Sequence, residues 1–221
     1  MKGKLIAIEG INGCGKSTII KEIASYYTRI GEMVKIFKFP ERTGKYGSII
    51  DDHLHKKNVF NSTYDLLDAF AANRLDVKDE IISYIQLGYI VICDRYFFSG
   101  IAYHIPLNAS KSKIKVYNDI IGHFDNGMPL PDMTYLINGN FLKLRNEQSQ
   151  RYHYEFYKAH QLFDIFREVI SLNTKKYTLL RNEFNKSDML STYIINDINV
   201  NNWNNDAENI YTCIDTISDT I

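Results

Sequence analysis

An α/β fold, with a parallel sheet covered by helices on both faces, follows from three features of this sequence. Short apolar runs alternate with amphipathic helical stretches along the chain. The first apolar run, at 4–9, leads straight into Gly10-Ile11-Asn12-Gly13-Cys14-Gly15-Lys16-Ser17, and a helical pattern (Ile19, Ile20, Ile23, Tyr26, Tyr27) begins at once behind it. A length of 221 residues suits one such domain with a single substantial core. No internal repeat or low-complexity linker divides the chain, so residues 1–221 read as one domain.

Apolar or β-rich runs at 4–9, 33–39, 89–94, 133–138 and 191–197 predict a five-stranded parallel sheet. Helical patterns lie between them near 15–30, 44–57, 62–87, 112–124 and 153–171, with a last one near 205–220. Over 62–87 the stripe Leu66, Leu67, Phe70, Ala71, Leu75, Ile81, Ile82, Ile85 predicts one long helix closed by Gly88. The stretch 175–188 reads as an insertion before the last strand and receives no role.

Apolar residues make up 45% of the chain and charged ones 24%, and the formal charge balances at zero. That balance argues against a broad nucleic-acid surface, so any phosphate recognition must come from a few placed arginines. Cys14, Cys93 and Cys213 form no C-x-x-C pair, which predicts neither disulfides nor a zinc site and fits a reducing, cytoplasmic compartment. The first strand starts too early to leave room for a signal peptide, and no run is long enough to span a membrane. The Asn-rich segment 199–209 reads as compositional bias.

Residues 10–17 fit the phosphate-binding loop pattern G-x-x-x-x-G-K-[ST] between a strand and a helix. Its glycines let backbone N–H groups turn inward onto a triphosphate, Lys16 reaches the β- and γ-phosphates, and the Ser17 hydroxyl can hold Mg²⁺. The start of the helix adds its positive dipole end. The chain therefore binds a nucleoside triphosphate.

In such sheets ligands sit beyond the carboxyl ends of the strands. The second strand ends in Phe39-Pro40-Glu41-Arg42, and the third in Asp94-Arg95-Tyr96 followed by Ser99-Gly100-Ile101-Ala102-Tyr103. The long helix carries Phe70-Ala71-Ala72-Asn73-Arg74, and Arg145 and Arg151-Tyr152 precede a later helix. Arginine suits phosphate because its planar fork pairs with two oxygens at once. Asp94 can orient Mg²⁺-bound water, with Arg95 facing a phosphate.

Together these segments, with Gly127-Met128-Pro129-Leu130-Pro131-Asp132 before the fourth strand, resemble the thymidylate kinase family of P-loop nucleoside monophosphate kinases. The resemblance runs from Lys4 to about Ile217. It implies an NMP-kinase-like fold with a short mobile lid at about 142–152, an ATP-dependent dTMP kinase activity, and a homodimer. ATP would lie on Gly10, Asn12, Gly13, Cys14, Gly15, Lys16, Ser17 and Thr18, with Arg145 against the adenine. Phe70 would stack on the pyrimidine, and Arg74 would donate to the thymine O4. Arg42 and Arg95 would clamp the acceptor phosphate, and Tyr103 would lie where a 2′-OH projects. Ser99 and Gly100 would line the base pocket, Phe39 would form an apolar wall, and Asn12 and Tyr152 would also touch dTMP. Lys16, Asp94, Arg95, Arg145 and Arg151 would be catalytic, and Ser17 and Asp94 would hold Mg²⁺. An outer edge of the adenine pocket would come from 196–200.

The sequence departs from the family pattern in three places. Asn12 stands where an acidic residue commonly binds the acceptor's 3′-OH, which implies looser sugar selectivity. Gly13 stands where some members carry an arginine, so a transition-state arginine must come from the lid. Gln150 replaces the acidic residue before the lid's Arg-Tyr pair.

Two rival readings compete. One is a guanine-nucleotide switch, on the matches Asn185-Lys186-Ser187-Asp188 and Asp119-Ile120-Ile121-Gly122, neither of which is expected to follow an apolar strand. The other is a sister kinase of broader acceptor range. Arg42 favours a monophosphate over a neutral nucleoside, and the Phe70–Arg74 pair favours thymine or uracil.

Overall fold

The computed structural model describes residues 3–57, 60, 62–139, 159–173, 178–184 and 190–195. Six strands form one sheet, β1 (Lys4–Glu9), β2 (Val34–Lys38), β3 (Ile90–Asp94), β4 (Met133–Gly139), β5 (Thr178–Phe184) and β6 (Leu190–Ile195), in the order β2-β3-β1-β4-β5-β6. The pairings from β2 through β5 are parallel, and β6 alone runs antiparallel, on β5.

This corrects the expected sheet at one edge. The run near 191–197 does form a strand, but it is the antiparallel edge rather than the fifth parallel strand. The fifth parallel strand lies in the stretch read as an insertion. Its sequence, TLLRNEF, is more polar than the LSTYII of β6, so hydrophobicity pointed to the wrong member of the pair.

The central strands are near-continuous apolar runs because both faces are covered. Leu5, Ile6, Ala7 and Ile8 of β1, Val91–Cys93 of β3 and Tyr135–Ile137 of β4 are all but inaccessible. Helix α1 (Lys16–Arg29) buries Ile19, Ile20, Ile23 and Tyr27, the stripe expected of it. Helix α2 (Gly44–Asp52) continues as a π-helical turn over His53–Lys57.

The expected single helix over 62–87 is two helices, α3 (Thr63–Leu75) and α4 (Lys78–Gln86). Val77, at φ −109° and ψ 9°, leaves the helical path. The apolar spacing survives that break, but Asp79 and Glu80 in the first turn of α4 mark a new helix start. Gly88 closes α4 at φ 89°, its N–H donating to the Ile85 carbonyl at 3.1 Å.

Helix α5 (Phe97–Ala102) was not foreseen. It is one short turn and a half, apolar on most sides, and offers no period to read. Helix α6 (Lys111–Gly122) ends in a 3₁₀ turn at His123–Asp125, and α7 (Ala159–Asn173) covers the described part of the pattern expected over 153–171. Asp119–Gly122 lies inside α6, not in a loop after a strand. Residues 185–188 lie outside the described residues, although β5 runs directly up to them, against expectation. The lid at 142–152 (with Arg145, Arg151 and Tyr152), the segment 196–200, the helix near 205–220 and Cys213 also fall outside them.

Candidate active site

Because β3 lies beside β1, the residues that follow these two strands meet, although they are far apart in sequence. At the end of β1, Gly10 has φ 140°, and a Cβ there would sit 2.8 Å from the Ile137 carbonyl of β4. Only glycine fits this close approach. The loop then turns through Gly13 and Gly15, and α1 begins at Lys16. Ser17 and Thr18 are exposed at the start of α1, while Cys14 and Lys16 are buried.

Lys16 folds back over its own loop. Its ammonium donates to the Gly10 carbonyl at 3.0 Å and the Ile11 carbonyl at 2.6 Å. Burial, followed by the charge of Arg95, lowers its pKa, and the charges of Cys14, Asp94 and Glu9 oppose that shift.

Arg95 is the hub of the site. Its N–H donates to the Ile8 carbonyl at 2.9 Å, extending the β1–β3 pairing by one residue. The backbone then turns to φ 68°, a left-handed conformation that L-residues adopt at a cost. From there Nη1 donates to the Gly10 carbonyl and to Ser99 Oγ, both at 3.0 Å. Nη2 donates to Asn12 Oδ1 and, at 3.4 Å, to the Tyr103 hydroxyl, whose ring lies 5.2 Å from the guanidinium carbon. Phe166 of α7 supports the Tyr103 ring edge-on at 5.5 Å.

Glu9, the last residue of β1, was not singled out from sequence, although a carboxylate ending an apolar strand before a phosphate loop was there to be noticed. It is fully buried and serves as a remote cap for α5. Oε1 accepts from the N–H groups of Tyr96 (2.8 Å) and Ser99 (3.2 Å), and Oε2 accepts from Ser99 Oγ at 2.5 Å. Burial raises its pKa from the ordinary 4.5 to about 6, against the opposing pull of the Ser99 bond, Arg95, the Tyr96 N–H and Lys16.

A carboxyl group with a raised folded-state pKa binds more protons folded than unfolded between those two values. Stability therefore falls as pH rises from about 4.5 to about 6, by about 2 kcal/mol for this group. Denaturant unfolding of the wild type and Glu9→Gln at pH 4.5 and pH 7 checks this. The difference between the two proteins should move by about that amount, in favour of Glu9→Gln at the higher pH. A pH-independent difference would contradict the assignment.

A second cluster lies beside Ser99. Arg74, at the end of α3, is 4% exposed and pairs with Asp125 of the 3₁₀ turn, Nε to Oδ1 at 2.5 Å and Nη2 to Oδ2 at 2.8 Å. Gly100 lies against this guanidinium, since a Cβ there would be 3.3 Å from Nη2. The Gly100 carbonyl accepts from His104 Nδ1 at 2.7 Å, and burial lowers the His104 pKa. Phe70 is half-buried, with its ring edge-on to His104 at 6.2 Å. Asp125 was missed in the sequence because it stands 51 positions from its partner.

The remaining candidates sit at the margins. Phe39 is buried in the core against Tyr96, with ring centroids 6.2 Å apart. Arg42 is half-exposed and ion-paired with Asp51 of α2, so it must leave or share that carboxylate to meet a phosphate. The backbone of its neighbour Glu41 is tied to α3 by a reciprocal pair. The Glu41 N–H donates to Asn73 Oδ1 at 2.8 Å, and Asn73 Nδ2 donates to the Glu41 carbonyl at 3.0 Å. Below this loop, a Cβ on Gly47 would sit 2.2 Å from the Glu41 carbonyl oxygen.

Asp94 is 7% exposed at the end of β3, with Lys38 Nζ 4.0 Å from Oδ2. Among the described residues no group of three His, Cys, Asp or Glu side chains could hold a metal ion. Ser17, exposed at the start of α1, and Asp94, at the end of β3, offer oxygen donors alone. That fits Mg²⁺, which keeps several waters and leans on substrate phosphates for the rest of its shell.

A phosphate loop and a strand-end Asp-Arg, on a sheet with the parallel order β2-β3-β1-β4-β5, define a P-loop phosphotransferase of the nucleoside monophosphate kinase type. The family model described as thymidylate kinase matches residues 8–189. The chain belongs to the thymidylate kinase family. It is 33% identical over 174 residues to the thymidylate kinase of Plasmodium falciparum (isolate 3D7), covering 72% of this chain and 79% of that one. To the thymidylate kinase of Danio rerio it is 29% identical over 180 residues, covering 79% and 81%.

Among solved structures, thymidylate kinase from Candida albicans superposes with a TM-score of 0.67 at 25% identity, over 81% of this chain and 84% of that one. That structure is described as revealing an origin of broad substrate specificity. The thymidylate kinase from Ehrlichia chaffeensis shares the fold with a TM-score of 0.59 at 24% identity, over 81% and 93%.

Proposed function

We propose that this chain transfers the γ-phosphoryl group of ATP to dTMP, producing dTDP in the supply of dTTP. Beyond family membership, the observation that carries this reading is the position of Arg95. Its guanidinium stands between the carbonyl of Gly10 in the phosphate loop and the Ser99–Gly100 segment beside Arg74. One cation there can serve the donor's end and the acceptor's phosphate together.

The acceptor's phosphate oxygen is already an anionic nucleophile, so no strong general base is required. Catalysis consists of aligning two anions and neutralising charge on a loose, in-line transition state. Lys16 and the loop N–H groups hold the donor, and Arg95, joined by Arg42, holds the acceptor. Mg²⁺, on Ser17 and near Asp94, would supply further neutralisation of the phosphates. Arg145 and Arg151 act from a lid whose closure excludes water and so suppresses hydrolysis. Phe70 and Arg74 meet the pyrimidine, and Ser99, Tyr103 and Tyr152 complete the acceptor site. A homodimer and a cytoplasmic location complete the proposal. Among the described residues no helix is long and apolar enough to cross a membrane.

One observation favours a broader acceptor range as a second reading. The side-chain Oδ1 of Asn12 accepts from Arg95, so one of the two lone pairs that could meet the sugar's 3′-OH is already taken.

ADP release with Mg-ATP across dTMP, dUMP, dCMP, dGMP, UMP and thymidine tests both readings. A strong preference for dTMP is expected. Comparable rates with dUMP or dGMP would favour the broader kinase, and no acceptor-dependent ADP would overturn the kinase reading. In the same assay Arg74→Ala should chiefly raise KM for dTMP. A fall in kcat alone would contradict its role at the base.

A further inference from the structure

We infer that Asp125 sets the base selectivity of the acceptor pocket by locking the Arg74 guanidinium so that one edge alone is left to meet the base. This rests on the reading of Arg74 as the group that contacts the acceptor's pyrimidine.

The two side chains come from different parts of the fold, the last turn of α3 and the 3₁₀ turn behind α6, and both are 4% exposed. Their contact is two parallel charge-assisted hydrogen bonds, a geometry that fixes the plane of the guanidinium as well as its position. Five N–H groups belong to an arginine, and Asp125 takes one on Nε and one on Nη2. The Gly100 backbone covers the guanidinium from another side, with the ideal Cβ position 3.3 Å from Nη2 and 3.7 Å from Nη1. Gly100 is itself held by His104, on which the Phe70 ring rests. What remains is the edge formed by Nη1 and the outer N–H of Nη2.

That edge only donates. It suits a pyrimidine carrying a carbonyl at C4 and opposes one carrying an amino group there. A mobile arginine could swing aside for the amino group, but one clamped by a buried carboxylate cannot. Selectivity therefore depends on Asp125 although Asp125 itself need not touch the base, and it is a positioning residue.

The test is kcat and KM for dTMP, dUMP and dCMP, KM for ATP, and thermal unfolding, in wild type, Asp125→Asn, Asp125→Glu and Arg74→Gln. Asp125→Asn should raise KM for dTMP and shrink the dTMP-over-dCMP preference in kcat/KM, each about tenfold, the scale of one well-placed hydrogen bond to a charged group. KM for ATP should stay within about twofold, because the Asp125 carboxylate is paired with Arg74 at the far side of Ser99–Gly100 from the phosphate loop's Lys16.

An unchanged preference in Asp125→Asn, even with a lowered Tm, would overturn the inference and leave Asp125 a structural partner. Should Asp125→Asn not fold, Asp125→Glu keeps the charge and displaces the carboxylate by one methylene, and an unchanged preference there overturns the inference equally. Arg74→Gln separates the two levels. If it flattens the preference while the Asp125 variants do not, only the role of Asp125 falls. If Arg74→Gln also leaves the preference intact, the base-contact reading of Arg74 has failed, and the inference with it.

Discussion

Lys16→Ala is expected to lower the rate of phosphoryl transfer about a thousandfold or more while leaving the protein folded. The ammonium is held inside its own loop by the Gly10 and Ile11 carbonyls at 3.0 and 2.6 Å, and little water reaches it. A positive charge in such a setting stabilises developing phosphate charge far more than an exposed one would, and losing a single pre-placed donor commonly costs about 10²–10³ in rate. Two opposing effects fix the stability. Alanine leaves two buried carbonyls short of a donor, at about 1–3 kcal/mol. It also removes a desolvated cation that faces Arg95. Single-turnover ADP formation together with thermal unfolding checks both halves. Transfer within about tenfold of wild type would contradict the assigned role.

Arg95→Met is expected to be nearly as damaging, with kcat/KM for dTMP down about a thousandfold. Methionine has no donor for the Gly10 carbonyl, Ser99 Oγ, Asn12 or the Tyr103 hydroxyl, all of which the guanidinium now serves. Arg95→Lys should recover little, because a point charge cannot span that set of acceptors. ATP affinity, measured by direct titration, should change much less than turnover. An Arg95→Met enzyme that still phosphorylates dTMP at near wild-type rate would remove Arg95 from the mechanism.

Features of the site confined to one stretch of chain were legible in the sequence. The phosphate loop is eight contiguous residues between a strand and a helix, and Arg95 announces itself by following directly on an apolar strand. Asp125 was not legible, and of Glu9 only its place at the end of an apolar strand was, because their partners lie 51 and 87–90 positions away and only the folded sheet brings them close. The helix break at Val77 was hidden by an apolar stripe that stays in phase across it. The strand order at the far edge was hidden because the interior strand β5 is the more polar of the two. In each case the missing information was a contact between distant residues.

Gly47 shows how far such contacts extend the functional map. It belongs to α2 and carries no chemistry, yet any side chain there would drive into the Glu41 carbonyl, the backbone that bears Arg42. A catalogue of random variants scored for growth would therefore flag position 47 alongside the nucleotide-contacting positions. Someone ranking hits by chemical character would discard it. Someone ranking them by the room beneath the loop would keep it.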